Sequence, residues 1–191
     1  MTTTHVPAAG LTVRQALDQF YDTHDFGEEG GVNEKVVRLK FGPVTIALPN
    51  TEQRKQVIWL HDLHHLLNEY PTTWPGEGRV SAWELATGGW GWQLYIWSLI
   101  LGAFTIGGLL YPAGTFRAFV RGTYCRPVLS LGLSKAELMQ LPIGEIRQRL
   151  GIDLTREYPV RLSHYVRFAA LLYGYVAIWL VVIAGLVRLV W

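Results

Sequence analysis

Apolar and polar positions along the chain follow three rhythms, and each predicts a different kind of element. The spacing over 11–21 is that of a short amphipathic helix, and the Gly- and acid-rich stretch 22–34 predicts a loop. A period of two follows. Val37, Leu39 and Phe41 alternate with polar neighbours, Gly42-Pro43 marks a turn, and Val44, Ile46 and Leu48 alternate again, which predicts a small β-hairpin over 35–48. Pro49 closes the second strand. Asn50, with Gln53 three residues on, is the expected N-cap pair of a helix that runs to about Tyr70, where Pro71 stops it. At helical spacing, Trp59, Leu60, Leu63, Leu66, Leu67 and Tyr70 gather on one side and His61, Asp62, His65 and Glu69 on the other. Pro71 to Gly76 reads as a turn, with a second helix beginning near Glu77.

The third pattern has no polar phase. From Leu85 to Phe116 no residue is charged. Within that run, Trp92–Leu110 approaches the roughly 20 apolar residues that cross a bilayer. Trp90, Trp92, Tyr95 and Tyr111 sit near its ends, as interfacial aromatics do, although a buried core helix has the same pattern. Phe168–Val187 is a second uncharged run, with Arg161 and Arg167 before it and Arg188 after it, and predicts a membrane helix. The expected fold is mainly α-helical and membrane-associated, with a small N-terminal β-hairpin and one or two membrane helices. Residues 1–153 are expected to form a helical metal-site domain and 154–191 a C-terminal membrane anchor.

Composition supports the membrane. Of 191 residues only 17% are charged, while tryptophans number 8. Residues 1–89 carry 7 Lys/Arg against 11 Asp/Glu, and 111–167 carry 9 against 4. A basic segment can face nucleic acid or an anionic membrane. No nucleic-acid motif accompanies it and its neighbours are very apolar, so membrane lipid is the expected partner and nucleic acid is not. The lone Cys125 forms no internal disulfide and no CxxC motif. Met1–His5 has neither a basic segment nor an apolar run, so no secretory signal or transit peptide is expected.

The candidate chemistry lies in His61-Asp62-Leu63-His64-His65 and Glu77. His61 and His65, four residues apart on a helix, project from one face, with the Asp62 carboxylate between them in sequence. A helix–turn–helix returns Glu77 over the pair. Two imidazoles and two carboxylates make a mixed N/O site for one divalent ion, zinc foremost, with iron or manganese as alternatives. His64 points toward the apolar boundary and reads as a supporting residue. Polar residues on the wet side of an amphipathic helix give the same pattern without chemistry. The zincin motif H-E-x-x-H needs Glu where Asp62 stands. Membrane di-iron enzymes need about eight histidines in several boxes, and the chain has 6. Serine and cysteine nucleophile motifs and phosphate loops are absent from the sequence.

His61-Asp62, His65 and, after 11 further residues, Glu77 with Gly76 before it resemble the signature of the Coq-four family of ubiquinone (coenzyme Q) biosynthesis proteins. A basic segment, Arg117-Ala118-Phe119-Val120-Arg121-Gly122, and a later stretch, Leu141-Pro142 to Leu150-Gly151-Ile152, are similar to that family's C-terminal part and stand in the same order. The resemblance covers about 11–153; the hairpin and the tail at 165–191 depart from it. It implies a mostly helical, membrane-associated protein with His61, Asp62, His65 and Glu77 as metal ligands. The implied activity is replacement of the ring carboxylate of a polyprenylated hydroxybenzoate by hydroxyl. Asp62 and His65 are the expected catalytic residues, with Asp62 a fourth ligand or the base for the ring hydroxyl. Expected partners are that prenylated aromatic, other quinone-biosynthesis proteins and a second copy of the chain. The expected location is a bacterial inner membrane with the site on the cytoplasmic face. In that arrangement only Phe168–Val187 spans, and Arg147, Arg149, Arg156, Arg161 and Arg167 flank it. A non-catalytic lipid-binding scaffold, a membrane metalloprotease and a helical membrane protein without chemistry are the alternative readings.

Overall fold

The computed structural model describes residues 9–24, 33–41 and 44–190, and of 37–41, 44–48 and 190 the backbone alone. The expected Gly42-Pro43 turn and positions 25–32 of the expected loop lie outside the described residues. The described elements are α1 (Val13–His24), β1 (Val36–Phe41), β2 (Val44–Pro49), α2 (Glu52–Asn68), α3 (Trp74–Thr87), α4 (Leu94–Leu110), α5 (Pro112–Gly122), α6 (Lys135–Leu138), α7 (Ile143–Leu150) and α8 (Leu162–Val190). They divide into two compact units, Met1–Glu69 with Gly132–Arg149, and Tyr70–Leu131 with Leu150–Trp191. Residues 154–191, read from the sequence as a separate anchor, share a unit with 70–131.

In the first unit, Thr12 and Gln15 satisfy each other's backbone N–H groups at the start of α1, a capping box. Val13, Ala16, Leu17, Phe20 and Tyr21 then form its buried stripe. Main-chain hydrogen bonds Val13 N to Leu141 O, Ile143 N to Leu11 O and Gly144 N to Ala9 O tie this end to the α6–α7 segment. α1 continues to His24, past the expected end at Tyr21. β1 and β2 pair antiparallel, with Val37 opposite Leu48 and Leu39 opposite Ile46.

α2 begins one residue later than expected. Thr51 is its N-cap and accepts from Arg54 N, while buried Asn50 is engaged elsewhere, donating to Glu34 O and accepting from Arg54 Nη1. The C-terminus is held from a distance. Arg147 donates to the carbonyls of Leu66 and Leu67 at 2.9 Å and to the Glu69 carboxylate at 3.0 Å. A guanidinium there satisfies exposed carbonyls and meets the negative end of the helix dipole. It also steadies Glu69, which caps α2 in the left-handed region at φ 56°.

In the second unit, α3 begins at Trp74, ahead of the expected start at Glu77, because Pro75 stands at the first turn, where its missing N–H costs nothing. α3 and α5 run in the same direction and touch through small residues: Gly114 lies under Arg79, Ala82 and Ala118 share the core, and Gly122 meets Trp83 and Ala86. α4 crosses α3 at Gly107, where an added Cβ would stand 2.4 Å from the Gly78 Cα. Small residues at such crossings let backbones approach closely. Phe104, Phe119, Phe168 and Leu172 fill the core around them.

α4 has 17 residues and buries Ile96, Ile100, Phe104, Gly107 and Gly108 on one face. It is thus packed within its unit along one side and falls short of the roughly 20 residues of a bilayer span. α8 differs. Phe168 and Leu172 anchor its first turns, and from Tyr173 onward its apolar residues are mostly exposed, Val181 by 71% and Leu189 by 84%. Leu162–Leu189, 28 residues, is long and apolar enough to cross a membrane.

Candidate metal centre

The site is built on the end of α2 and the start of α3. About one helical turn brings the two imidazoles together: at i, i+4 the His61 and His65 Nε2 atoms face each other at 3.3 Å, with ring centroids 4.9 Å apart and planes near perpendicular. His65 is buried and stacks on Phe20 of α1 at 6.3 Å, which fixes its orientation; His61 is half-buried. Two imidazole nitrogens on one tetrahedral ion, each at about 2.0–2.1 Å, stand about 3.3–3.4 Å apart, so the pair is already at a ligating separation.

Glu77 reaches the pair because of the turn before it. An added Cβ at Gly76 would fall 1.7 Å from the Pro71 carbonyl oxygen, so only glycine lets the chain fold this tightly into α3. Glu77 then lies in the first turn, where the helix dipole favours a carboxylate. One ligand atom from each of His61, His65 and Glu77 lies within 4.8 Å of the others. Two nitrogens and one oxygen suit zinc or another first-row divalent ion and leave a coordination position for water or substrate.

Asp62 is buried at 6% exposure and is not one of the three converging residues. One helical step turns it about 100° from His61 but leaves it about 60° from His65, so it borders the face that carries the pair. His64 is also buried, and its carbonyl accepts from Asn68 Nδ2 at 3.1 Å. On α3, Ser81 and Glu84 follow Glu77 at i+4 and i+7 and are fully buried on the same face. That spacing was legible in the sequence as an extension of the Glu77 side, and so was the burial of a serine and a glutamate between apolar residues. Phe20 and Arg147, which orient His65 and hold the end of α2, carry no local sequence signal.

No protein-family profile, curated protein or solved structure matches the chain.

Proposed function

We propose that the chain holds one divalent ion on His61, His65 and Glu77 and serves ubiquinone biosynthesis. On this reading it removes the ring carboxylate of a membrane-dissolved polyprenylated hydroxybenzoate. The observation that carries the metal site is the convergence of three ligand atoms within 4.8 Å, with the two imidazole nitrogens 3.3 Å apart. The resemblance of His61-Asp62, His65 and Gly76-Glu77 to the ubiquinone-biosynthesis signature supports the substrate class. The exposed apolar length of α8 supports a membrane setting for it, with Arg156, Arg161 and Arg167 on the cytoplasmic side.

Exchanging the ring carboxylate for hydroxyl breaks the ring–carboxylate bond and forms a ring–oxygen bond; the net change takes up dioxygen and water and releases carbon dioxide and hydrogen peroxide, the two electrons lost by the ring going to dioxygen. A bound ion supplies Lewis acidity and, if it is iron rather than zinc, redox chemistry as well. The chain's own part is to seat the aromatic head group against His61, on the half-buried side of the pair, and to take the proton of the ring hydroxyl at Asp62.

Purified protein is expected to carry one divalent ion per chain, and His61→Ala and His65→Ala to lose it. His64→Ala is expected to be milder, within the roughly 10–100-fold loss of affinity typical of supporting residues. Asp62→Asn is expected to keep the ion and lose conversion of a prenylated 4-hydroxybenzoate, because an amide takes no proton. Equal metal content in wild type and the double histidine variant removes the site. Full metal content in wild type with no conversion, and a loss of several quinone intermediates together in a deletion strain, favours a scaffold.

A further inference from the structure

The segment Arg117-Ala118-Phe119-Val120-Arg121-Gly122 has no part in the metal centre, yet its residues occupy distinct places on α5. Arg117 is exposed, and Ala118 is buried in the core of the second unit. Gly122 abuts α3, where an added Cβ would stand 2.7 Å from the Trp83 carbonyl oxygen. This close approach sets Arg121 against Tyr70: its Nη1 donates to the Tyr70 hydroxyl at 3.4 Å and its Cζ lies 5.6 Å from the ring centroid. Arg121 is half-buried, and so is Arg79, whose guanidinium crosses α5 over Gly114.

Neither guanidinium has a carboxylate within ion-pair distance among the described residues. The groups around Arg121 do not supply a negative charge either. Burial pushes the Tyr70 phenol up to about 12, against the pull of Arg121 and Arg79. Burial likewise raises the Cys125 thiol and the Tyr158 phenol, the latter two also lying in the field of Arg121. All three are neutral near pH 7. The second unit holds eight arginines and no lysine, against Glu77, Glu84, Asp153 and Glu157. Of these, Asp153 is occupied by Thr155 and the Arg156 backbone. A partly desolvated guanidinium flanked by neutral hydrogen-bonding groups is a receptor for an anion from outside the chain.

We propose that Arg121, braced on Tyr70 and reinforced by the charge of Arg79, binds an oxyanion, a carboxylate or phosphate group carried by a small molecule or a lipid head group. The planar guanidinium offers a two-point fit to such a group, and the Tyr70 ring holds it in one orientation. The site is independent of the metal centre and of the reaction proposed for it.

Cys125 is the one cysteine of the chain and lies beside Arg121, so it reports on the site without metal or turnover. An anion that neutralises Arg121 removes the charge that lowers the thiol pKa. A rise of half a unit cuts the thiolate fraction, and with it the rate of alkylation by neutral iodoacetamide, about threefold. The full-length protein in detergent is titrated, at constant ionic strength, with inorganic phosphate, with benzoate and with phosphatidylglycerol in mixed micelles. At least one is expected to slow alkylation saturably, and the one that does names the source of the oxyanion. Arg121→Gln is expected to abolish the effect. Tyr70→Phe, which keeps the ring under the guanidinium, is expected to raise the midpoint roughly threefold, and Arg79→Gln to raise it too. No effect of any anion on wild type, or the same titration in wild type and Arg121→Gln, overturns the site. Should Arg121→Gln fail to fold, unchanged midpoints in both Tyr70→Phe and Arg79→Gln overturn it.

Discussion

α4 and α8 arise from the two charge-free stretches of the chain, and by composition they are the same kind of segment. In the structure they part company. α4 is a 17-residue helix with a buried face at Ile96, Ile100, Phe104, Gly107 and Gly108. α8 runs 29 residues and is anchored by Phe168 and Leu172, with the apolar length beyond them mostly exposed. What separates them is the placing of glycine. Gly107 and Gly108 of α4 sit where another chain segment touches them: the Gly78 backbone at one, the Leu172 side chain at the other. Gly174 and Gly185 of α8 meet nothing within 4 Å. Hydropathy reports that a helix leaves water; the fit of its small residues to a neighbour reports whether protein receives it.

The largest expected effect tests that difference directly. Gly107→Leu forces a side chain into the Gly78 backbone, which has no rotamer with which to yield. It is expected to destabilise the second unit by about 3 kcal/mol or more. Gly185→Leu in α8 is expected to change stability by no more than about 0.5 kcal/mol. Denaturant unfolding in detergent, followed by tryptophan fluorescence, measures both. A tolerated Gly107→Leu breaks the comparison at its root.

A second pair of variants asks where the exposed faces reside. Leu180 of α8 and Leu109 of α4 are similarly exposed, 62% and 55%. If α8 spans a bilayer, Leu180→Asp puts a carboxylate near its middle, at a cost of about 3 kcal/mol in insertion. Leu109→Asp is expected to cost under about 1 kcal/mol, because the outer face of a helix too short to span reaches water near its end. Membrane fractionation with a glycosylation or cysteine-accessibility reporter reads the two. Equal losses would put the outer face of α4 in hydrocarbon beside α8.

These contrasts mark what a single sequence discloses. The twenty-residue uncharged run is visible because apolarity needs no partner to be read. The His61/His65 pair is visible because i, i+4 spacing is local geometry, and the Gly76-Glu77 step because the turn that needs glycine is also local. The cap of α2 was misread by one residue. Asn50 and Thr51 are both good caps, and the choice between them is made by Glu34 and Arg54, which draw Asn50 away. Asp62, read as a ligand from its place between the histidines, lies beside His65 at i, i+3 and outside the group of three that converges. Arg147 holds the end of α2 across some eighty residues of chain, and no window of sequence around either of them shows it.

The smallest expected effect sharpens the comparison where α4 and α8 meet. Alanine exceeds glycine in a helix interior by about 0.8–1.0 kcal/mol. At Gly102 an added Cβ meets nothing within 4 Å, so Gly102→Ala is expected to realise most of that gain. At Gly108 the same Cβ would stand 3.0 Å from one Leu172 methyl and 3.3 Å from the other. Those atoms are the ends of a flexible side chain, and beyond this point Tyr175, donating to Ser98 O at 3.3 Å, is the hydrogen bond that ties α8 to α4 among the described residues. Leu172 is therefore expected to turn aside for a few tenths of a kcal/mol, leaving Gly108→Ala stabilising, but less than Gly102→Ala. The difference between the two variants, measured by unfolding in one detergent, is a gauge of how firmly α8 is seated on α4. A Gly108→Ala that loses more than about 1 kcal/mol means that Leu172 cannot move. α8 would then be a packed wall of the second unit, and the contrast drawn from its exposed length would hold only for its C-terminal half.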